Sequence, residues 1–120
     1  MAVAFVQSTG KFGESGGDGV ISATFGTTPV AGNCIAVLSW GHRSATGPDY
    51  PDPFASDNKT NTYSRDVTQG AAAWDVAIGH AENITSSATF TVTVDVTQTA
   101  GVTMYAAALE FSGVATSAAL

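Results

Sequence analysis

Thr89-Phe90-Thr91-Val92-Thr93-Val94-Asp95-Val96-Thr97 is the stretch that decides the fold class. Four apolar residues alternate without a break against Thr and Asp, and side chains on a strand point to opposite faces with a period of two. One face of this strand is apolar and the other is lined with hydroxyls. The apolar face needs a second layer to cover it, whereas the Thr face is satisfied by water. The expected architecture is all-β: an antiparallel β-sandwich, jelly-roll-like, of seven to eight strands.

Working outward from that strand, the rest of the chain divides in the same way. Residues 2–8 read as a first strand, ended by a glycine-rich loop over 10–19 in which Phe12 pins the loop to the body. Residues 20–25 form a second strand. The run Cys34-Ile35-Ala36-Val37-Leu38-Ser39-Trp40 is apolar on both faces, so it is expected at the centre of a sheet, covered on both sides over part of its length. Pro48, Pro51 and Pro53 forbid a helix or a central strand in the irregular stretch 41–62, and so long a connection tends to be a functional or covering loop. Strands follow at 63–68 and at 72–81, the latter with Trp74, Val76, Ile78 and His80 on one face. The last strand covers 103–111, with Tyr105, Leu109 and Phe111 on its apolar face. Ala106, Ala107 and Ala108 favour a helix there, but the segment is short and the strand at 89 needs a partner. One domain spanning 1–120 accounts for all of these elements.

The chain has 120 residues, enough to bury about two-thirds of the surface its unfolded form exposes, so folding requires no disulfide or metal. Ten acidic residues against four Lys and Arg give a net charge of −6. The four cations (Lys11, Arg43, Lys59, Arg65) are scattered, and nucleic acid, which selects a basic stripe, is excluded as a partner. Cys34 is the only cysteine, which excludes an internal disulfide and a cysteine-based zinc cluster. No apolar run reaches the about 20 residues of a membrane helix, so membrane insertion is not expected. Residues 1–6 lack the basic start and apolar core of a signal peptide. The chain is expected to reach a surface as part of a particle, or through an export signal outside this sequence.

Catalytic chemistry finds little support. His42 and His80 are the two histidines, and neither lies in an H-E-x-x-H spacing; no Gly-x-Ser-x-Gly elbow is present. The parts that could bind a ligand lie together in the proline-rich loop: His42, Asp49, Tyr50, Asp52 and Phe54. Sugar binding would use aromatic faces against the apolar face of a pyranose, with carboxylates and His reading hydroxyls. Trp40, Tyr50, Phe54, Tyr63 and Trp74 are the candidate faces. Core packing is the expectation for Trp40 and Trp74 in apolar strands, whereas a loop can hold Tyr50 and Phe54 outward, or use them to cover a core edge. Asp49, Asp52 and Asp57 are hard oxygen donors in one loop, the donor type that a structural calcium ion takes. No other cofactor is implied.

Several landmarks carry a resemblance: Phe5-Val6-Gln7-Ser8, then Pro29-Val30-Ala31-Gly32-Asn33 leading into an apolar strand that ends in Trp40, the turn from Asp57 through Asn61-Thr62-Tyr63, and Leu109-Glu110-Phe111-Ser112-Gly113-Val114. In this order the chain resembles a widespread, poorly characterised family of β-sandwich modules found in bacterial secreted or surface proteins and in phage structural proteins. The resemblance implies a non-catalytic structural or assembly module, foremost a decoration or minor structural protein of a phage virion. Its partners would be protein subunits of the same particle or further copies of itself, and its location the virion surface. The alternative is a carbohydrate-binding module of a secreted bacterial protein, located outside the cell and partnered by a glycan.

Overall fold

The computed structural model describes residues 2–43, 49–50, 53–71, 73–96 and 101–114. Among them there is no helix, and the strands are β1 (Ala4–Gly17), β2 (Val20–Thr24), β3 (Cys34–His42), β4 (Ala55–Asp57), β5 (Ser64–Ala71), β6 (Trp74–Ala81), β7 (Thr91–Asp95) and β8 (Val102–Ser112). They form two antiparallel sheets, a larger one in the order β1-β8-β3-β6-β5 and a smaller one in the order β2-β7-β4. The run 1-8-3-6 facing 2-7-4 is the nested Greek-key order of a jelly roll, with β5 added to the edge of the larger sheet.

β7 behaves as its alternation dictates. Phe90, Val92, Val94 and Val96 are buried between the sheets, the first three with no exposed surface. On its other face, hydroxyls bond in cross-strand pairs, Ser22 Oγ to Thr93 Oγ1 at 2.7 Å and Thr24 Oγ1 to Thr91 Oγ1 at 2.8 Å. β3 lies at the centre of the larger sheet as expected, but past Cys34 only its inner face is covered, with Leu38 on the outer face 43% exposed. β8 is a strand despite its alanines, paired with β1 and β3 and not with the strand at 89, which pairs with β2 and β4.

Three elements differ from the sequence expectation. β1 continues through the glycine-rich stretch expected to be a loop. It stays paired with β8 by shifting register between Phe5 and Gln7, between Ser8 and Lys11, and between Glu14 and Gly17. Gly10 and Gly16 adopt φ of +71°, which lets an edge strand bulge where other residues would resist. Phe12 packs against the core from this strand, as expected. A short strand, β4, forms within the proline-rich stretch because Ala55, Ser56 and Asp57 pair with Val94, Thr93 and Val92 of β7. The third difference is which faces of β6 and β8 point inward. Ala77, Gly79 and Ala81 of β6 and Val102, Met104, Ala106 and Ala108 of β8 face the smaller sheet. The larger side chains of both strands therefore point away from the core.

One buried carboxylate ties three segments together. Glu110 has no exposed surface, and its oxygens accept hydrogen bonds from Gln7 Nε2 (2.7 Å), the Val30 backbone N–H (2.8 Å) and Asn33 Nδ2 (2.6 Å). β1, the turn before β3 and β8 are thereby joined, with no cationic partner among the described residues. Three donors directed at an acceptor-only group replace the water it loses on burial. Removing the acceptor would strand those donors. Glu110→Ala is expected to cost about 2–4 kcal/mol, read as a lower urea midpoint. An unchanged midpoint would show that the clamp contributes nothing to stability.

Candidate functional site

The proline-rich loop carried the sequence-based candidates, and the structure divides them. Tyr50 and Phe54 are 2% and 1% exposed, so they cover the core edge and are not held outward. Their rings meet edge to face at 5.6 Å. The Tyr50 hydroxyl and Ser39 Oγ share a buried hydrogen bond of 2.9 Å, and the Arg65 guanidinium donates to the Tyr50 carbonyl. Gly79 makes room for Phe54: a Cβ there would lie 2.7 Å from ring atom Cε1. Of the two placements the sequence leaves open, outward or over a core edge, the rings take the second, because burying two aromatic faces outweighs leaving them in water.

Of the proposed oxygen donors, Asp49 and Asp57 lie among the described residues. Asp57 is fully engaged within its own turn: Oδ1 accepts from the Lys59 and Asn61 backbone N–H groups, and Oδ2 accepts from Asn61 Nδ2 and the Tyr63 hydroxyl. A carboxylate with four protein donors acts as a turn-former. Asp49 lies exposed, and its charge bears on Asp75, whose carboxyl is raised above the ordinary range first by partial burial and then by Asp49. Asp52 lies outside the described residues. Among the described residues no three metal-ligating side chains converge.

His42 belongs to a different constellation, on the outer face of the larger sheet. Its ring lies 4.2 Å from that of Trp74, tilted by 44°. Trp74 packs on Trp40 at 4.9 Å and 34°, and Trp40 stacks on Tyr105 at 5.7 Å and 23°. Lys11 Nζ sits 4.3 Å over the Tyr105 ring, within cation–π range. Register creates this row, since Trp40 pairs with Tyr105 on one side and His42 pairs with Trp74 on the other. Trp74 is 48% exposed, and Leu38, Val67, Val76 and Ile78 beside the row are exposed as well. Core packing of Trp40 and Trp74, expected from their apolar neighbours, is thus corrected: both lie on the face away from the core. Across the same face, His80 stands between two carboxylates, its Nδ1 2.7 Å from Asp66 and its Nε2 3.4 Å from Glu82.

The arrangement supplies a broad apolar and aromatic surface with charged groups toward its two edges. The ring centroids are too close for rings lying side by side in one plane, so neighbouring faces cover one another and the row presents edges. Cys34 is buried beneath one end of β3, and burial, with Glu82 and Asp66 adding to it, pushes its thiol up to about 11. A thiol so raised is not a nucleophile at neutral pH.

Two outcomes distinguish core tyrosine and phenylalanine from ligand-binding ones. Phe54→Ala is expected to lower stability by about 3–5 kcal/mol, as truncation of a buried ring does, measured by urea denaturation. Tyr50 is pushed up to about 12, mainly by burial, against the hydrogen bond from Ser39 that lowers it. The unfolded chain releases that proton from about pH 10, so above pH 10 the unfolded state binds fewer protons and stability falls as pH rises. The loss is expected to be of order 2 kcal/mol by pH 12 and to shrink in Tyr50→Phe. Identical alkaline profiles for the two proteins would refute the assignment. No protein family, curated protein or solved structure matches this chain.

Proposed function

We propose that this chain is a non-catalytic assembly module displayed on a surface, foremost a decoration or minor structural protein of a phage virion. The observation that carries the reading is the outer face of the larger sheet, where Trp74, Leu38, Val76, Ile78 and Val67 stand exposed on one continuous surface. A free-standing protein seldom exposes so large a contiguous apolar patch, and such patches mark interaction sites. The opposite outer face is occupied by Thr and Ser hydroxyls bonded to one another, so the two sides of the sandwich are chemically unlike. Jelly rolls serve as viral capsid domains and as lectin domains alike, so the fold by itself does not choose between a protein partner and a sugar.

Ring geometry favours the protein partner. A sugar stacks on an open ring face, whereas Trp40 has Tyr105 on one side of it and Trp74 close by, and Lys11 covers the Tyr105 ring. The exposed part of Trp74 is the feature that favours a carbohydrate ligand.

Particles purified from the source cells and resolved by mass spectrometry are expected to contain the chain at a fixed copy number. Trp74→Asp, which changes an exposed position, should leave the fold intact and reduce incorporation at least tenfold. Recovery of the chain solely as a free monomer would overturn the assembly reading. Retention on insoluble polysaccharide that Trp74→Ala abolishes would establish the carbohydrate reading in its place.

A further inference from the structure

We infer that the outer face of the larger sheet is the contact between two copies of this chain, related by a two-fold axis along β3. The inference rests on the assembly reading and names the partner for that surface.

Four backbone pairings place five residues in one row across the sheet: Lys11 with Ala107, Ala107 with Leu38, Leu38 with Ile78, and Ile78 with Val67. Leu38 is the midpoint of the row, on the central strand, and is 43% exposed. A cation, Lys11, stands at the β1 end. Asp66, the residue before Val67, stands at the β5 end, with Glu82 beyond His80. The middle of the row is apolar.

A two-fold axis along β3 exchanges the two ends. It lays β1 of one copy over β5 of the other and brings each Lys11 to the level of the partner copy's Val67–Asp66 pair, twice over. The same operation sets Leu38 against Leu38 and the aromatic rows across one another. The surface is thus complementary to itself, which is what an isologous contact requires, and the contact closes at two copies. Each chain carries a net charge of −6, so two copies repel at long range and a contact that brings a cation to a carboxylate offsets part of that repulsion. At this face a cation meets the carboxylates while apolar surface is covered.

The dimensions are sufficient. β3, β6 and β8 have 9, 8 and 11 residues. Five strands about 4.8 Å apart and about 26 Å long give a footprint of roughly 600 Å² before side-chain relief is counted. A standard interface removes about 800 Å² from each partner. Sheets packed face to face keep their strands within about 30° of alignment, which preserves the match of the two rows.

Sedimentation velocity of the intact chain over a hundredfold concentration range tests the inference. The wild type is expected to form a dimer, with Leu38→Asp, which places two carboxylates on the axis, weakening it at least a hundredfold. Circular dichroism would establish that the variant keeps its strands. Lys11→Asp should weaken the dimer about tenfold, and the double variant Lys11→Asp, Asp66→Lys should recover most of that loss. A wild type that stays monomeric, a dimer indifferent to Leu38→Asp, or a double variant weaker than Lys11→Asp alone would each overturn the proposed contact. A monomer would leave the assembly reading to be decided by particle incorporation, so the two failures are separable.

Discussion

The buried aromatic rings between the two sheets come mainly from one side, while the larger sheet adds Ile35, Val37, Val102 and Met104, and much of the molecule follows from that asymmetry. Phe25 and Phe90, Ile84, Tyr63 and the pair Tyr50 and Phe54 come from the smaller sheet's flanks and the connecting loops. The inner surface of the larger sheet is built largely of small residues, among them Ser39 and Gly41 of β3, Ala77, Gly79 and Ala81 of β6, and Ala106 and Ala108 of β8. Large side chains from one layer fit over small ones from the other because interiors pack at crystal-like density. Once the loops deliver the bulk, the sheet has no room for its own tryptophans. Trp40, Trp74 and Tyr105 turn outward for reasons of volume, and the core's composition thereby creates the exposed aromatic surface.

That constraint also explains what could be read from the chain. β7 was legible because its two faces differ in polarity as well as in size, so Thr against Val decides which side is wet. In β6 and β8 both faces are apolar, and alternation alone marks two sets without saying which is buried. Size is a misleading guide there: Trp74, Val76 and Ile78 are the more hydrophobic set, yet Ala77, Gly79 and Ala81 face the core. The deciding information lies in residues far away in sequence, such as Phe54, whose ring needs the space above Gly79. Tyr50 and Phe54 were misplaced for the same reason, since prolines forbid regular structure but do not specify on which side of a loop an aromatic ring falls. The β1 extension escaped notice because glycine-rich composition signals a loop, while the long β8 supplies a partner that composition does not reveal.

Several polar residues in the turns and strand ends are joints. Gln7, Val30, Asn33 and Glu110 come from three separate segments and meet in one hydrogen-bonded cluster. The turn around Asp57 is a second joint. There Asn58 bonds the Thr89 carbonyl and the Thr91 amide, and Asn61 bonds Thr85, so the turn is sewn to the loop before β7. Polar residues of this kind satisfy backbone groups that a sandwich leaves open at its ends. They explain why the sequence offers many Asp and Asn in patterns that resemble ligand sites.

The pairing of the first and last strands has a mechanical consequence. Ala4 lies opposite Ser112, and Gly113, at a φ of +73°, turns the chain against the backbone of Ala2. Both ends of the folded unit therefore leave from the same corner. A pull applied through them would open the β1–β8 ladder one rung at a time, like a zip, instead of loading all its hydrogen bonds together. The first reinforced rung on that path is the Gln7–Glu110 bond. A unit built this way is well suited to hang from a single point of attachment and poorly suited to carry tension as a link in a chain.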